Sequence, residues 1–239
     1  MDMNRVPAFI GGMALVAAVA GNTARANLLV NGGLETSKPV NQYNLVFANP
    51  SNGSSVLPGW TVTTGTIDVV PSSYFQNTQG NFSVDLIGTP GLGGISQTVA
   101  TTPGTQYLLT FDFSINPENL TNEFGTTKIM KVSATGGGNS ILNTQQYSDT
   151  AGTRTFQNMQ YTQESFTFTA NSNSTTITLA ALLPLNLPPG MTGASAQCGP
   201  VIDNLDLEPA PGASQLPEPG TLAVMGLGGM LLLRRRRSS

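Results

Sequence analysis

The sequence predicts an all-β fold, a jelly-roll β-sandwich of two antiparallel sheets, from three observations. Charged residues are only 10 % of the 239, while Thr, Ser, Asn, Gln and Gly abound, as in chains of frequent turns and Thr-bearing strands. Short runs with period-two alternation recur between Gly, Pro and Asn clusters, with no long amphipathic helical stretch and no internal repeat in the body. A hydrophobic content of 39 % is enough for a real core.

The chain opens on MDMNRVPAFIGGMALVAAVAGNTARANLLV. Arg5 supplies a basic n-region, Ala8 to Ala20 an apolar run, and Ala24-Arg25-Ala26 a small-x-small cleavage site. Residues 1–26 therefore read as a removed secretory signal, the run being short for an anchored helix. Strands are then expected over 27–30, 60–64, 66–70, 82–87, 94–100, 107–115, 128–134, 160–169, 175–180 and 201–207, with loops over 36–57, 116–127, 135–159 and 183–199. Alternation is clearest in QYLLTFDFSI and ESFTFTA, where Phe111 and Phe113 share one face and Phe166 and Phe168 another, as core residues do. One domain spans 27–208, residues 209–216 form a linker, and residues 217–239 form a membrane-directed tail with a short hydrophobic helix.

Between 27 and 216 four cations, Lys38, Lys128, Lys131 and Arg154, face eleven carboxylates, a net charge of minus seven. Such a body cannot neutralise a run of phosphates, which excludes nucleic acid as a partner and leaves the tail as the only membrane contact. The single cysteine, Cys198, cannot form an internal disulfide and reads as an inert, part-buried small residue. The absence of histidine removes Ser-His-Asp triads, Cys-His pairs and His-ligated metals, leaving carboxylate chemistry or oxygen-ligand metal sites.

The tail, LPEPGTLAVMGLGGMLLLRRRRSS, carries twelve apolar residues over 222–233 followed by four arginines. Twelve helical residues reach about 18 Å, short of the roughly 30 Å hydrocarbon core of a bilayer. This pattern resembles the PEP-CTERM sorting signal, with Pro217, Glu218 and Pro219 as the motif and Arg234, Arg235, Arg236 and Arg237 as the basic cluster. The resemblance implies a transient inner-membrane handle processed by an exosortase-type transpeptidase, with the arginines cytoplasmic and the body outside.

In the body, NLLVNGGLE, LPGWTV, IDVV, GNFSVDLIG, GGISQTVATTPGTQYLLTFDFSINP and GPVIDNLDLE follow in an order that resembles the choice-of-anchor C family of exported bacterial proteins. Its domain is similar to galactose-binding-like jelly rolls, and the resemblance implies a structural calcium near the meeting of the first and last strands. Glu35 and Asp203 match those positions, and backbone carbonyls would complete the six to eight oxygen ligands that calcium takes. Trp60 reads as a core ring beside a tight turn, whereas Tyr43, Tyr74 and Tyr147 fall in loop-like stretches and are candidates for an exposed glycan platform.

Glycosidases need two carboxylates about 5 to 10 Å apart, and Asp68, Asp85 and Asp112 lie on strands that could be neighbours. No nucleophile and base can be named, so the expectation is a non-catalytic envelope or exopolysaccharide-matrix protein. It would bind extracellular polysaccharide or serve as a purely structural surface constituent, and a carboxylate-dependent glycoside hydrolase is the remaining alternative.

Overall fold

The computed structural model describes residues 26–36, 53, 55–88, 91–118, 126–150, 152–183 and 198–212. Ala24, Tyr43, Pro217, Glu218, Pro219 and the four arginines Arg234, Arg235, Arg236 and Arg237 lie outside the described residues; Ala26 lies within them and is exposed.

Among the described residues twelve strands form in chain order: β1 (Thr61–Thr64), β2 (Asp68–Pro71), β3 (Phe82–Asp85), β4 (Ile87–Gly88), β5 (Gly91–Leu92), β6 (Gly94–Ala100), β7 (Gln106–Ile115), β8 (Thr127–Thr135), β9 (Ile141–Thr150), β10 (Thr162–Thr169), β11 (Ser174–Leu182) and β12 (Pro200–Pro209). They build two five-stranded antiparallel sheets, β1-β6-β11-β8-β9 and β10-β7-β12-β3-β2, with β4 and β5 as a small third pair. Consecutive strands β6, β7 and β8 alternate between the sheets, as do β10, β11 and β12, the wrapped connectivity of a jelly roll. Between the sheets lies one core of alternate residues, Phe111, Phe113, Phe166 and Phe168 among them, with Trp60 buried beside its turn.

Two departures from the expected strands have local causes. Residues 27–30 are a turn, because Asn27 takes over the backbone: its Oδ1 accepts from Leu29 N (2.9 Å) and Leu207 N (3.0 Å), and its Nδ2 donates to Leu205 O (2.7 Å). The strand expected over 82–87 divides into β3 and β4, because Asp85 Oδ1 accepts from Ile87 N at 2.8 Å and bends the chain at Leu86.

The expected loop over 135–159 contains β9, a ten-residue strand. Its side chains are mostly exposed and only Tyr147 is fully buried, so ILNTQQYSDT lacks the alternation that reveals a half-buried strand. β9 and β10 are edge strands of opposite sheets, and side chains of one cap the backbone of the other. Asn143 Nδ2 donates to Thr167 O and the Tyr147 hydroxyl to Ser165 O, both at 2.6 Å. The opposite edges, β1 and β2, are four residues each, too short to offer a long template for a second chain.

Candidate functional site

The outer face of the β2-β3-β12 region is not left to solvent. Residues 72–77 and 153–161 cover it and form a second apolar cluster, in which Val70, Phe75, Met159 and Val201 are buried and Tyr74, Phe156 and Tyr161 pack at the margin. Two hydrogen bonds fasten the segments to each other: Gln76 N to Phe156 O at 2.6 Å and Met159 N to Gln76 Oε1 at 2.9 Å. Ser114 Oγ donates to Met159 O, and Arg154 bridges Met159 O, Thr150 O and the Asp149 carboxylate.

The half-buried Tyr74 and Phe156 rings stack with centroids 4.8 Å apart, and Tyr74 also stacks on Phe75 at 5.2 Å. Burial, and then the charge of Glu118, to which its hydroxyl hydrogen-bonds, raise the Tyr74 phenol above its ordinary range. The exposed Glu118 follows β7, so one carboxylate stands beside a half-buried aromatic shelf.

Behind the shelf the side chains are polar and buried. Asp68 stands opposite Asp85 on β2 and β3, and Asp112 opposite Asp203 on β7 and β12. All four take outward strand positions, yet all four carboxylates are covered. Asp85 Oδ1 accepts from Ile87 N and Gly199 N, at 2.8 and 2.9 Å, and Oδ2 from Asn116 Nδ2 at 2.8 Å. Desolvation outweighs these donors and pushes its carboxyl up to about 7. From the facing sheet comes Lys128, which interacts electrostatically with Asp85.

Burial pushes the Cys198 thiol up to about 12, so it stays protonated at any physiological pH. Iodoacetamide at pH 8 is expected to leave the native protein unmodified and to alkylate Cys198 fully once urea unfolds the chain, read by intact mass. Rapid labelling of the native state would show an accessible thiolate.

The expected glycan tyrosines separate. Tyr74 lies on the shelf. Tyr147 is corrected: it belongs to a strand, is 5 % exposed, meets Phe111 edge-on at 5.0 Å and spends its hydroxyl on β10, so no ring face is left for a sugar. Phe156 and Glu118 were not singled out in the sequence; a phenylalanine in a polar loop, TRTFQNMQ, was the available signal for the first.

Glu35 and Asp203 do come together, on one loop. Asp203 Oδ2 accepts from Thr78 N (2.7 Å), Gln79 N (2.9 Å) and Thr78 Oγ1 (3.1 Å), and its Oδ1 from Asn204 N (2.7 Å). Glu35 Oε1 accepts from Asn81 N (2.7 Å) and Phe82 N (3.1 Å), and Oε2 from Asn81 Nδ2 (3.4 Å). Calcium takes oxygen ligands, whereas every carboxylate oxygen here meets a hydrogen-bond donor; the arrangement does not fit the ion. No group of three or more Asp, Glu or Cys placed to hold a metal occurs among the described residues. Asp203 and Glu35 therefore clasp the 78–82 loop directly to the chain ends.

A family model described as "Protein of unknown function (DUF642)" matches residues 27–208, and one for the PEP-CTERM protein-sorting motif matches residues 215–237. No curated protein matches the chain. Similar solved structures include TmCBM61 in complex with β-1,4-galactotriose, at 15 % identity and TM-score 0.42, covering 77 % of this chain and 99 % of that one. A family 35 carbohydrate-binding module from Clostridium thermocellum is 13 % identical at TM-score 0.41, covering 63 % of this chain and 92 % of that one. The arabinose-bound α-L-arabinofuranosidase MgGH51 is 13 % identical at TM-score 0.42, and the match covers 77 % of this chain but 28 % of the enzyme.

Proposed function

The chain belongs to the DUF642 family, and from that premise we propose that its body is a non-catalytic module that binds neutral extracellular polysaccharide at the Tyr74–Phe156 shelf. The PEP-CTERM motif makes it an exported protein, held transiently in the membrane before exosortase processing and surface or matrix localisation. The observation that carries the binding reading is the stacked, half-exposed aromatic pair beside a carboxylate. A sugar ring buries its C–H face on an aromatic face, and Glu118 would accept from hydroxyls at the ring's edge. The net charge of minus seven between 27 and 216 disfavours polyanions and favours a neutral polymer.

Affinity electrophoresis of the full chain through gels containing neutral exopolysaccharide from the producing cells tests this. Retardation is expected, with Tyr74→Ala and Phe156→Ala each weakening it roughly three- to tenfold, the value of an aromatic contact. Tyr147→Phe should migrate as the parent does. An unretarded parent would sink the binding reading in favour of a purely structural matrix constituent, and reducing sugar released from the gel would favour the hydrolase.

A further inference from the structure

The edge strand β9 keeps one side of its backbone without a strand partner among the described residues. In an antiparallel pair, alternate residues point both N–H and C=O to the same side. Thr144 N donates to Asn143 Oδ1 at 2.8 Å and Thr150 N to Asp149 Oδ1 at 2.7 Å, so these residues face away from β8, and Gln146 and Ser148 face away with them. Thr150 is closed on that side, its C=O accepting from Arg154 Nη1 at 3.1 Å. What stays open runs from Thr144 O through Gln146 to Ser148, and all three of these residues are exposed.

The other edges of the sandwich are guarded. β1 and β2 are four residues each, and β10 carries Glu164 and has its edge carbonyls, Ser165 O and Thr167 O, taken by Tyr147 and Asn143. Natural edges are blunted by lysine, proline, an inward charge or a bulge. Residues 141–148, ILNTQQYS, contain no lysine, proline or charged side chain, and the irregularity of the β8–β9 pair lies at the start of β9, opposite Ala134 and Thr135. The partners of Ser148, Gln146 and Thr144 on β8 are Ile129, Lys131 and Ser133, so an acidic body meets its copy here across a cation and no carboxylate.

We propose that β9 is the contact between two copies of this chain, paired antiparallel about a twofold axis at Gln146. In that register Gln146 N donates to Gln146 O of the partner subunit, with the reverse bond by symmetry, and Ser148 N donates to Thr144 O of the partner subunit. The two Gln146 carboxamides lie directly opposite and can bond to each other. Two five-stranded sheets thereby become one continuous sheet. The axis through a directly opposed pair is perpendicular to the sheet, so both copies turn the same faces to the same side. Two Tyr74–Phe156 shelves then look the same way, and two sites on one polymer bind with an avidity that neither has alone. The pairing itself does not rest on the sugar reading.

Sedimentation velocity of the processed protein recovered from its producing cells is the test. The matched run is short, so the pair is expected to be weak, mostly formed at about 100 µM and mostly separate at about 1 µM. Gln146→Lys sets two ammonium groups face to face from an exposed position and should be single throughout. Gln146→Cys gives a second readout: opposed Cα atoms about 5.5 Å apart are within disulfide reach, and Cys198 is buried, so air oxidation should link two copies. Thr102→Cys, exposed between β6 and β7, should not cross-link. A parent that stays single at about 100 µM overturns the proposal. So does a pair that survives Gln146→Lys, which would place the contact elsewhere, in the apolar tail or at the shelf, or cross-linking of Thr102→Cys as fast as that of Gln146→Cys.

Discussion

Replacing Asp85 with alanine is expected to lower stability near pH 4 by about 4 kcal/mol, or roughly 10 °C of melting temperature. The carboxyl braces three chain segments: the bend between β3 and β4 through Ile87 N, the entry to β12 through Gly199 N, and the end of β7 through Asn116 Nδ2. Alanine leaves those three buried donors without an acceptor at about 1 to 3 kcal/mol each, offset in part by the desolvation no longer required. The pH dependence has a definite sign. The carboxyl titrates at about 7 when folded, against an ordinary value of 3.8, so the unfolded chain releases its proton first. The contribution of Asp85 is complete below about pH 4 and is lost as pH rises through about 7, at up to about 1.4 kcal/mol per unit. The alanine variant lacks this titration, so its penalty should shrink steadily toward neutrality. Urea denaturation of parent and variant at pH 4, 5.5 and 7 checks this; a penalty constant across the three would mean that the carboxyl titrates normally.

The same residue shows where sequence reading reaches and where it stops. Long strands with one buried face announce themselves: Gly94–Ala100 has the expected bounds, and β7, β8 and β10 differ from expectation by one or two residues at an end. What alternation cannot reveal is a second layer. Asp85 and Asp112 take polar positions in phase, as solvent-facing residues do, and only the covering segments 72–77 and 153–161 make them buried. Those segments have no period of their own; they are placed by Gln76, Arg154 and Met159 across sequence distances that local pattern does not report. Lys128 was legible in principle, because KIMKVSA puts it in phase with Met130 and Val132 while Lys131 falls on the other face. Glu35 and Asp203 both reach the 78–82 loop, where their acceptor atoms serve backbone N–H groups, and residue spacing does not distinguish a cation from a row of amides.

Gly32→Ala is the second substitution expected to have a large effect, and it acts through space rather than through backbone dihedrals. A Cβ at this position would lie 2.0 Å from Leu205 O and 2.6 Å from Asn27 Nδ2, so the turn cannot keep its distance from β12. That contact closes the fold: Leu205 N donates to Gly32 O at 2.9 Å, Leu28 N to Leu207 O at 2.8 Å, and Trp60 Nε1 to Asn31 O at 3.0 Å. Asn31 in turn fixes Glu35 by accepting from its N–H and donating to its C=O, and Glu35 holds Asn81 and Phe82. Moving Gly32 outward therefore loosens the indole, the clasped loop and β12 around Leu205, where its register shifts between Asp203 and Asp206, together. The expected loss is about 3 kcal/mol, at the upper end of overpacking penalties, because the obstructing atom is backbone and cannot rotate away. Gly152→Ala, where the nearest atom to the added Cβ is Arg154 Nη1 at 3.7 Å, is the control and should stay within about 0.5 kcal/mol of the parent. Limited proteolysis separates a local from a global consequence: if the clasp is one cooperative unit, Gly32→Ala should become cleavable within 28–35 and within 76–82 in parallel, before the sheets open. Cleavage confined to the first segment would mean that Asp203 holds the loop without help from the N-terminal turn.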